Sequence, residues 1–174
     1  MIKKIKERGF TMMEMIAAIF IITVGALGIF SLVSQTISFI SVSSSRLTAI
    51  YLAQEGIEIV RNIRDSNWLE ARENPDVSWD EGIPLGSWEA DYTTQNLTQP
   101  YDAGNYLNIS NGFYCYSSGT PTKFKRKITI FGKVNLDGDP EEIFDLLKIS
   151  VEVSWTERGR THQVTTQENL YRWH

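Results

Sequence analysis

The sequence predicts an α+β fold, with one long N-terminal helix packed on a small antiparallel sheet. Three observations predict it. An apolar run from Met15 to Val33 is long enough for a rod of helix. Leu52–Asp65 repeats its apolar residues at helical spacing. Leu147–Trp155 alternates apolar with polar residues and is followed by a turn sequence, Glu157-Arg158-Gly159-Arg160. Spacings of 3.6 and 2 separate an amphipathic helix from a strand with one buried face.

The first element follows a short basic leader with Lys3, Lys4, Lys6 and Arg8. A helix from Phe10 to Val33 would span about 36 Å at 1.5 Å per residue, enough to cross a hydrocarbon core of about 30 Å. The lysines ahead of it favour a cytoplasmic N-terminus and an exported C-terminus. A secretory signal peptide shares this layout, and Ala26 and Ser31 are small residues that suit its cleavage. Glu14 stands near the start of the apolar run. A carboxylate in hydrocarbon is costly unless something pairs with it, so its partner is the main clue to function. An ordinary anchor would let Glu14 snorkel to the interface.

Gln35–Ser45 is rich in serine and continues the helix weakly. Farther on, Leu52, Ala53, Gly56, Ile57, Ile59, Val60 and Ile63 share one helical face. Gln54, Glu55, Glu58, Arg61 and Asp65 share the other. That stripe predicts a helix lying on a core. From Phe10 to about Asp65 the whole helix would reach roughly 84 Å.

Residues 66–122 are acidic, with Trp68, Trp79 and Trp88 set among glycines and prolines. They read as irregular loops carrying short strands, near Trp88–Thr93 and Gly112–Tyr116, the second after an Asn111-Gly112 turn. The tryptophans either anchor these loops to the core or form a ligand platform. Residues 123–174 read as an antiparallel meander. Phe124–Phe131 is β-rich; Ile149, Val151, Val153 and Trp155 share one face of the next strand; Thr161–Tyr171 returns as the last.

At the N-terminus, Gly9-Phe10-Thr11-Met12-Met13-Glu14 followed by an apolar helix resembles the class III signal of type IV pilins and type II secretion pseudopilins. The run Leu52-Ala53-Gln54-Glu55-Gly56-Ile57-Glu58 and the late strands resemble, less specifically, PilV-type minor pilins and I-type pseudopilins. The resemblance implies a pilin-like fold and a leader, residues 1–9, removed by a prepilin peptidase between Gly9 and Phe10, with methylation of the new Phe10 amine. It implies a spine helix over 10–65, with 10–33 transmembrane, and a head over 66–174. It implies that Glu14 pairs with the Phe10 ammonium, in its own chain or a neighbour's, and so sets the register of assembly. Implied partners are the peptidase, other pilins or pseudopilins, an inner-membrane assembly platform and, before assembly, the lipid bilayer. The head would lie outside the membrane and end in an extracellular or periplasmic filament. Major pilins usually carry a proline where this chain has Ser31; Gly25 and Gly28 stand nearby and suit a local bend or close helix packing. The missing proline favours a minor subunit.

The 174-residue chain carries a net charge of −4, 42% hydrophobic residues and a single cysteine, Cys115, so no internal disulfide can form. The leader holds four of the 17 basic and one of the 21 acidic residues, which leaves the mature chain at −7. An acidic chain of this kind argues against general nucleic-acid affinity. Lys123, Lys125, Arg126 and Lys127 form the basic cluster, read as a solvated strand edge guarded by lysines; DNA binding is the sharper reading. Nothing resembles a catalytic motif, so an enzyme is not expected. Cys115 sits among aromatics and is expected to be buried; His162 is expected on a strand surface. Asp137, Asp139, Glu141 and Glu142 cluster in a turn that suits either solvent or a weakly held Ca2+. No other cofactor is expected. The competing function is a membrane-tethered extracellular binding module that does not polymerise.

Overall fold

The computed structural model describes residues 9–134 and 146–172. They form one helix and eight strands in an α+β arrangement, as the sequence patterns predict. The chain falls into two units, divided between Ser43 and Ser44.

Helix α1 runs from Met12 to Glu70 and passes through both. Its first turn is fixed by side chains. The Thr11 backbone N–H and hydroxyl both donate to Glu14 Oε2, each at 2.9 Å, and the Glu14 N–H reaches back to the Thr11 hydroxyl at 3.3 Å. This is a capping box, which satisfies backbone donors that a helix start otherwise leaves open. The helix continues unbroken through Gly25, Gly28 and the serine-rich stretch. In the first unit its apolar side chains, Phe20, Leu27, Phe30 and Phe39 among them, are exposed. A helix apolar on all sides belongs in a membrane or among other apolar helices.

In the second unit the same helix becomes one wall of a core. Leu52, Ala53, Ile57, Val60 and Ile63 are buried, as their spacing predicts. The helix extends beyond Asp65 because Trp68 packs on that core and the Asn67 amide donates to Trp79 O and Glu81 O, at 3.2 and 2.7 Å.

The opposite wall is a sheet. Strands β1 (Gly86–Glu89), β2 (Gln99–Pro100), β6 (Phe124–Val134), β7 (Leu146–Glu157) and β8 (Arg160–Tyr171) lie in the order β2-β1-β6-β7-β8, with every pairing antiparallel. Leu147, Ile149, Val151, Val153 and Trp155 face the helix, all 3% exposed or less. Each such side chain contributes about 1.5–3 kcal/mol on burial. Arg158 and Gly159, with φ of 52° and 74°, make the two-residue turn into β8. Both central residues of such a turn need positive φ.

A second, small sheet comprises β3 (Asn108–Ser110), β4 (Phe113–Cys115) and β5 (Thr120–Pro121), in the order β4-β3-β5. Asn111 and Gly112, at φ 52° and 85°, turn β3 into β4 where the sequence signals a turn. The three tryptophans serve as anchors. Trp79 is buried, and Trp68 and Trp88 pack against the core, with Trp88 Nε1 donating to Pro84 O at 3.0 Å.

Candidate processing and assembly site

Among the described residues, three precede the helix. Gly9, Phe10 and Thr11 lie outside it, and Phe10 is 83% exposed. The Gly9–Phe10 peptide bond is therefore free of helical hydrogen bonding. A Cβ at Gly9 would meet nothing within 4 Å. One turn on, the Glu14 carboxylate occupies Oε2 with the Thr11 cap. A carboxylate accepts several hydrogen bonds, so Glu14 has capacity for a further donor. Thr11 is the member of this group that sequence reasoning passed over. The signal was in plain view, since Thr-x-x-Glu ahead of an apolar run is the capping-box pattern.

The basic cluster is divided between two faces: the three lysines lie on the outer face and Arg126 on the inner one. Strand β6 lies between β1 and β7, but β1 pairs with it only over Ile128–Ile130, so residues 124–127 are paired on the β7 side and not by β1. Arg126 is fully buried. It donates to Leu52 O at 3.2 Å, Glu55 Oε2 at 2.9 Å and Ala90 O at 2.6 Å. Period two puts residue 126 on the face of Phe124 and Ile128, opposite the lysines. Those lysines are also engaged. Lys123 meets Glu157 at 3.0 Å and Ser45 at 2.7 Å, Lys127 lies 3.6 Å from Glu152, and Lys125 donates to Ala103 O. The four cations do not form the single exposed surface that phosphate contacts need.

His162 is likewise not a simple surface residue. It pairs with Trp155 in the β7–β8 register and stacks on that indole, with ring centroids 5.3 Å apart. Cys115 is buried, as expected, and accepts from the Ser117 hydroxyl at 3.2 Å. The acidic turn with Asp137, Asp139, Glu141 and Glu142 lies outside the described residues. Among the described residues no cluster of His, Cys, Asp or Glu is arranged to hold a metal ion.

Two buried carboxylates organise the loops. Glu89 accepts from the Asp102 N–H and the Asn105 amide, both at 2.9 Å. Asp91 accepts from the Thr93 N–H and hydroxyl and the Tyr116 N–H, at 3.0, 2.6 and 2.9 Å. Burial opposes the Asp91 charge, but these bonds and nearby Arg126 outweigh it and hold its pKa below the usual carboxylate value. Burial pushes the Tyr116 phenol well above its ordinary range, and its hydroxyl donates to Arg126 O at 2.9 Å.

The family model of the prokaryotic N-terminal methylation motif matches residues 4–30. A comparison with curated proteins and another with solved structures return no match. The chain thus carries a class III prepilin leader joined to a long apolar helix.

Proposed function

We propose that this chain, a bearer of the N-terminal methylation motif, is a structural subunit of a type IV pilus or a type II secretion-like filament, and that it is a minor pilin or pseudopilin. The observation that carries the reading is the matched motif standing at the head of a helix whose apolar side chains are exposed. Exposed apolar surface on this scale needs lipid or other apolar helices around it.

The steps follow from the chemistry of the first turn. Before processing, the apolar part of the helix crosses the bilayer, with the basic leader on the cytoplasmic side and the head exported. Water adds across the Gly9–Phe10 bond, leaving a carboxylate on Gly9 and an amine on Phe10. A methyl donor brought by the processing enzyme then transfers one methyl group to that amine, which gives up a proton; the product is still a basic amine, so it remains a cation. It is born four residues from Glu14, whose carboxylate is already held in place by Thr11. A charge-assisted bond is roughly twice as strong as a neutral one, and it offsets the desolvation of both groups. When helices pack side by side, Glu14 of one subunit and the ammonium of the next fix their axial register. Apolar contacts among helices replace contacts with lipid at little net cost, so the charge pair decides the alignment. No catalytic role and no cofactor belong to this reading.

The test is the sheared filament fraction of cells carrying Glu14→Ala. The variant should insert in the membrane and be cut, yet be depleted from filaments at least about tenfold, the equivalent of 1.4 kcal/mol. Incorporation at the unmodified level would remove the register argument.

A further inference from the structure

In the second unit, the last turns of α1 and the 92–96 loop enclose a cleft of about 660 Å3, within the range of about 300–1,000 Å3 seen for small-molecule sites. Its helix wall carries Asn62, Ser66 and Asn67; its loop wall carries Tyr92, Gln95 and Asn96. Glu70 is the one charged side chain among the lining residues. This chemistry excludes several ligand classes. Without Lys or Arg in the lining, a phosphate or carboxylate finds no counter-charge. A single exposed carboxylate does not make a metal site. Amides and hydroxyls predominate; Ser66 Oγ donates to Asn62 Oδ1 at 3.2 Å and the Asn67 amide to Trp79 O and Glu81 O, which leaves further donor and acceptor capacity that an apolar ligand cannot use. A neutral ligand rich in both donors and acceptors satisfies them.

The rim supplies the remaining feature. Tyr92 and Phe113 are 53% and 58% exposed, and their rings lean together with centroids 5.1 Å apart. Two paired rings held in solvent offer flat apolar faces against which the C–H face of a pyranose can lie. The walls are stiff. Asn67 ties the helix to Trp79 O and Glu81 O. Asp91 knots the start of the loop, and Leu97, 1% exposed with its N–H on Gly82 O at 2.8 Å, pins its end. Rigid walls reduce the ordering cost of binding.

We propose that this cleft binds a neutral oligosaccharide, with Tyr92 as the stacking platform and Asn62, Ser66 and Gln95 as hydrogen-bonding groups. Binding belongs to the unassembled subunit and does not depend on filament formation, so the two proposals fail separately.

The experiment titrates the full-length chain, held in phospholipid nanodiscs, with neutral trisaccharides of glucose, galactose, mannose or N-acetylglucosamine, using saturation-transfer NMR and empty discs as control. At least one trisaccharide should bind with Kd of about 1 mM or tighter, and Tyr92→Ala should weaken it about tenfold. Gln95→Ala, which alters an exposed side chain, should weaken the same ligand and supplies the reading if Tyr92→Ala lowers the melting temperature. The proposal is overturned if none binds at about 10 mM, if binding survives both substitutions, or if trigalacturonate binds as tightly as the best neutral sugar.

Discussion

Arg126 joins three segments of the head through one guanidinium: the helix at Leu52 O and Glu55, the loop at Ala90 O, and its own strand. An always-charged planar group with five donors suits this better than an ammonium, which is a single point charge. Removing one partner of a buried pair leaves the other uncompensated. Arg126→Ala should therefore cost about 3 kcal/mol, toward the lower end for a broken buried pair because Glu55 is one-third exposed. Arg126→Lys should recover only part of this, and Glu55→Gln, which keeps an acceptor, should cost about 1 kcal/mol. Urea denaturation midpoints check all three. Asp91 makes a different prediction. Its pKa is lower folded than unfolded, so the stability it contributes is present above the unfolded value, about 3.9, and is lost as pH falls through the folded value. The head should lose stability below about pH 4, and Asp91→Asn should flatten that part of the curve; an unchanged slope would assign the acid sensitivity to other carboxylates. Arg126 also shows how sequence reading goes astray. Four cations within five residues suggest a surface, yet the alternation already set residue 126 among Phe124 and Ile128. What the pattern could not show was the carboxylate and the two carbonyls waiting on the inner side.

At the scale of elements, the fit of α1 on the sheet turns on Gly56. A Cβ there would approach Val151 Cγ1 to 2.7 Å and Arg126 Cδ to 3.2 Å. Val151 is fully buried and β-branched, so it has little room to yield. Alanine should improve helix propensity by about 1 kcal/mol, but overpacking costs about 1–3 kcal/mol. The prediction is a lower melting temperature for Gly56→Ala, partly restored when Val151→Ala opens the space. Independent additive effects of the two changes would place the strain elsewhere. The long elements were legible because each repeats one period many times: the apolar rod, the amphipathic half of the helix, β7 and its return as β8. The stretch from Ala71 to Thr122 was legible only in part: β4 falls within the expected Gly112–Tyr116, whereas β1 lies at Gly86–Glu89 instead of Trp88–Thr93, and β2, β3 and β5 were not expected. Its strands have two to four residues, too few to display a period. Its order comes from Glu89, Asp91 and Asn67, polar side chains that bond to backbone many residues away. Such pairings leave no mark in local spacing. Turn residues did leave one, and both Asn111-Gly112 and Arg158-Gly159 adopt the positive φ that their sequences suggest.

For the molecule as a whole, the two units solve opposite problems. Residues 44–172 close a core of their own, with paired charges at its margins. Residues 9–43 leave their apolar side chains open and carry one acid at the front. That imbalance is unstable in water and suits a membrane anchor. In the candidate site, the matched motif spans Gly9, Phe10 and Glu14, where leader and apolar run stand in register; cutting, methylation and pairing at those residues are what the proposal adds. The role of Thr11 was legible too, as Thr-x-x-Glu ahead of an apolar run, and the geometry of the cap made it plain. The central claim is that cleavage creates the cation that Glu14 awaits, and the intact mass of the chain's N-terminal peptide, taken from sheared filaments, tests it most directly. The account predicts a peptide beginning at Phe10 and heavier by one CH2, a methyl group in place of one amine hydrogen; a chain found only in the membrane, with residues 1–9 still attached, would contradict it.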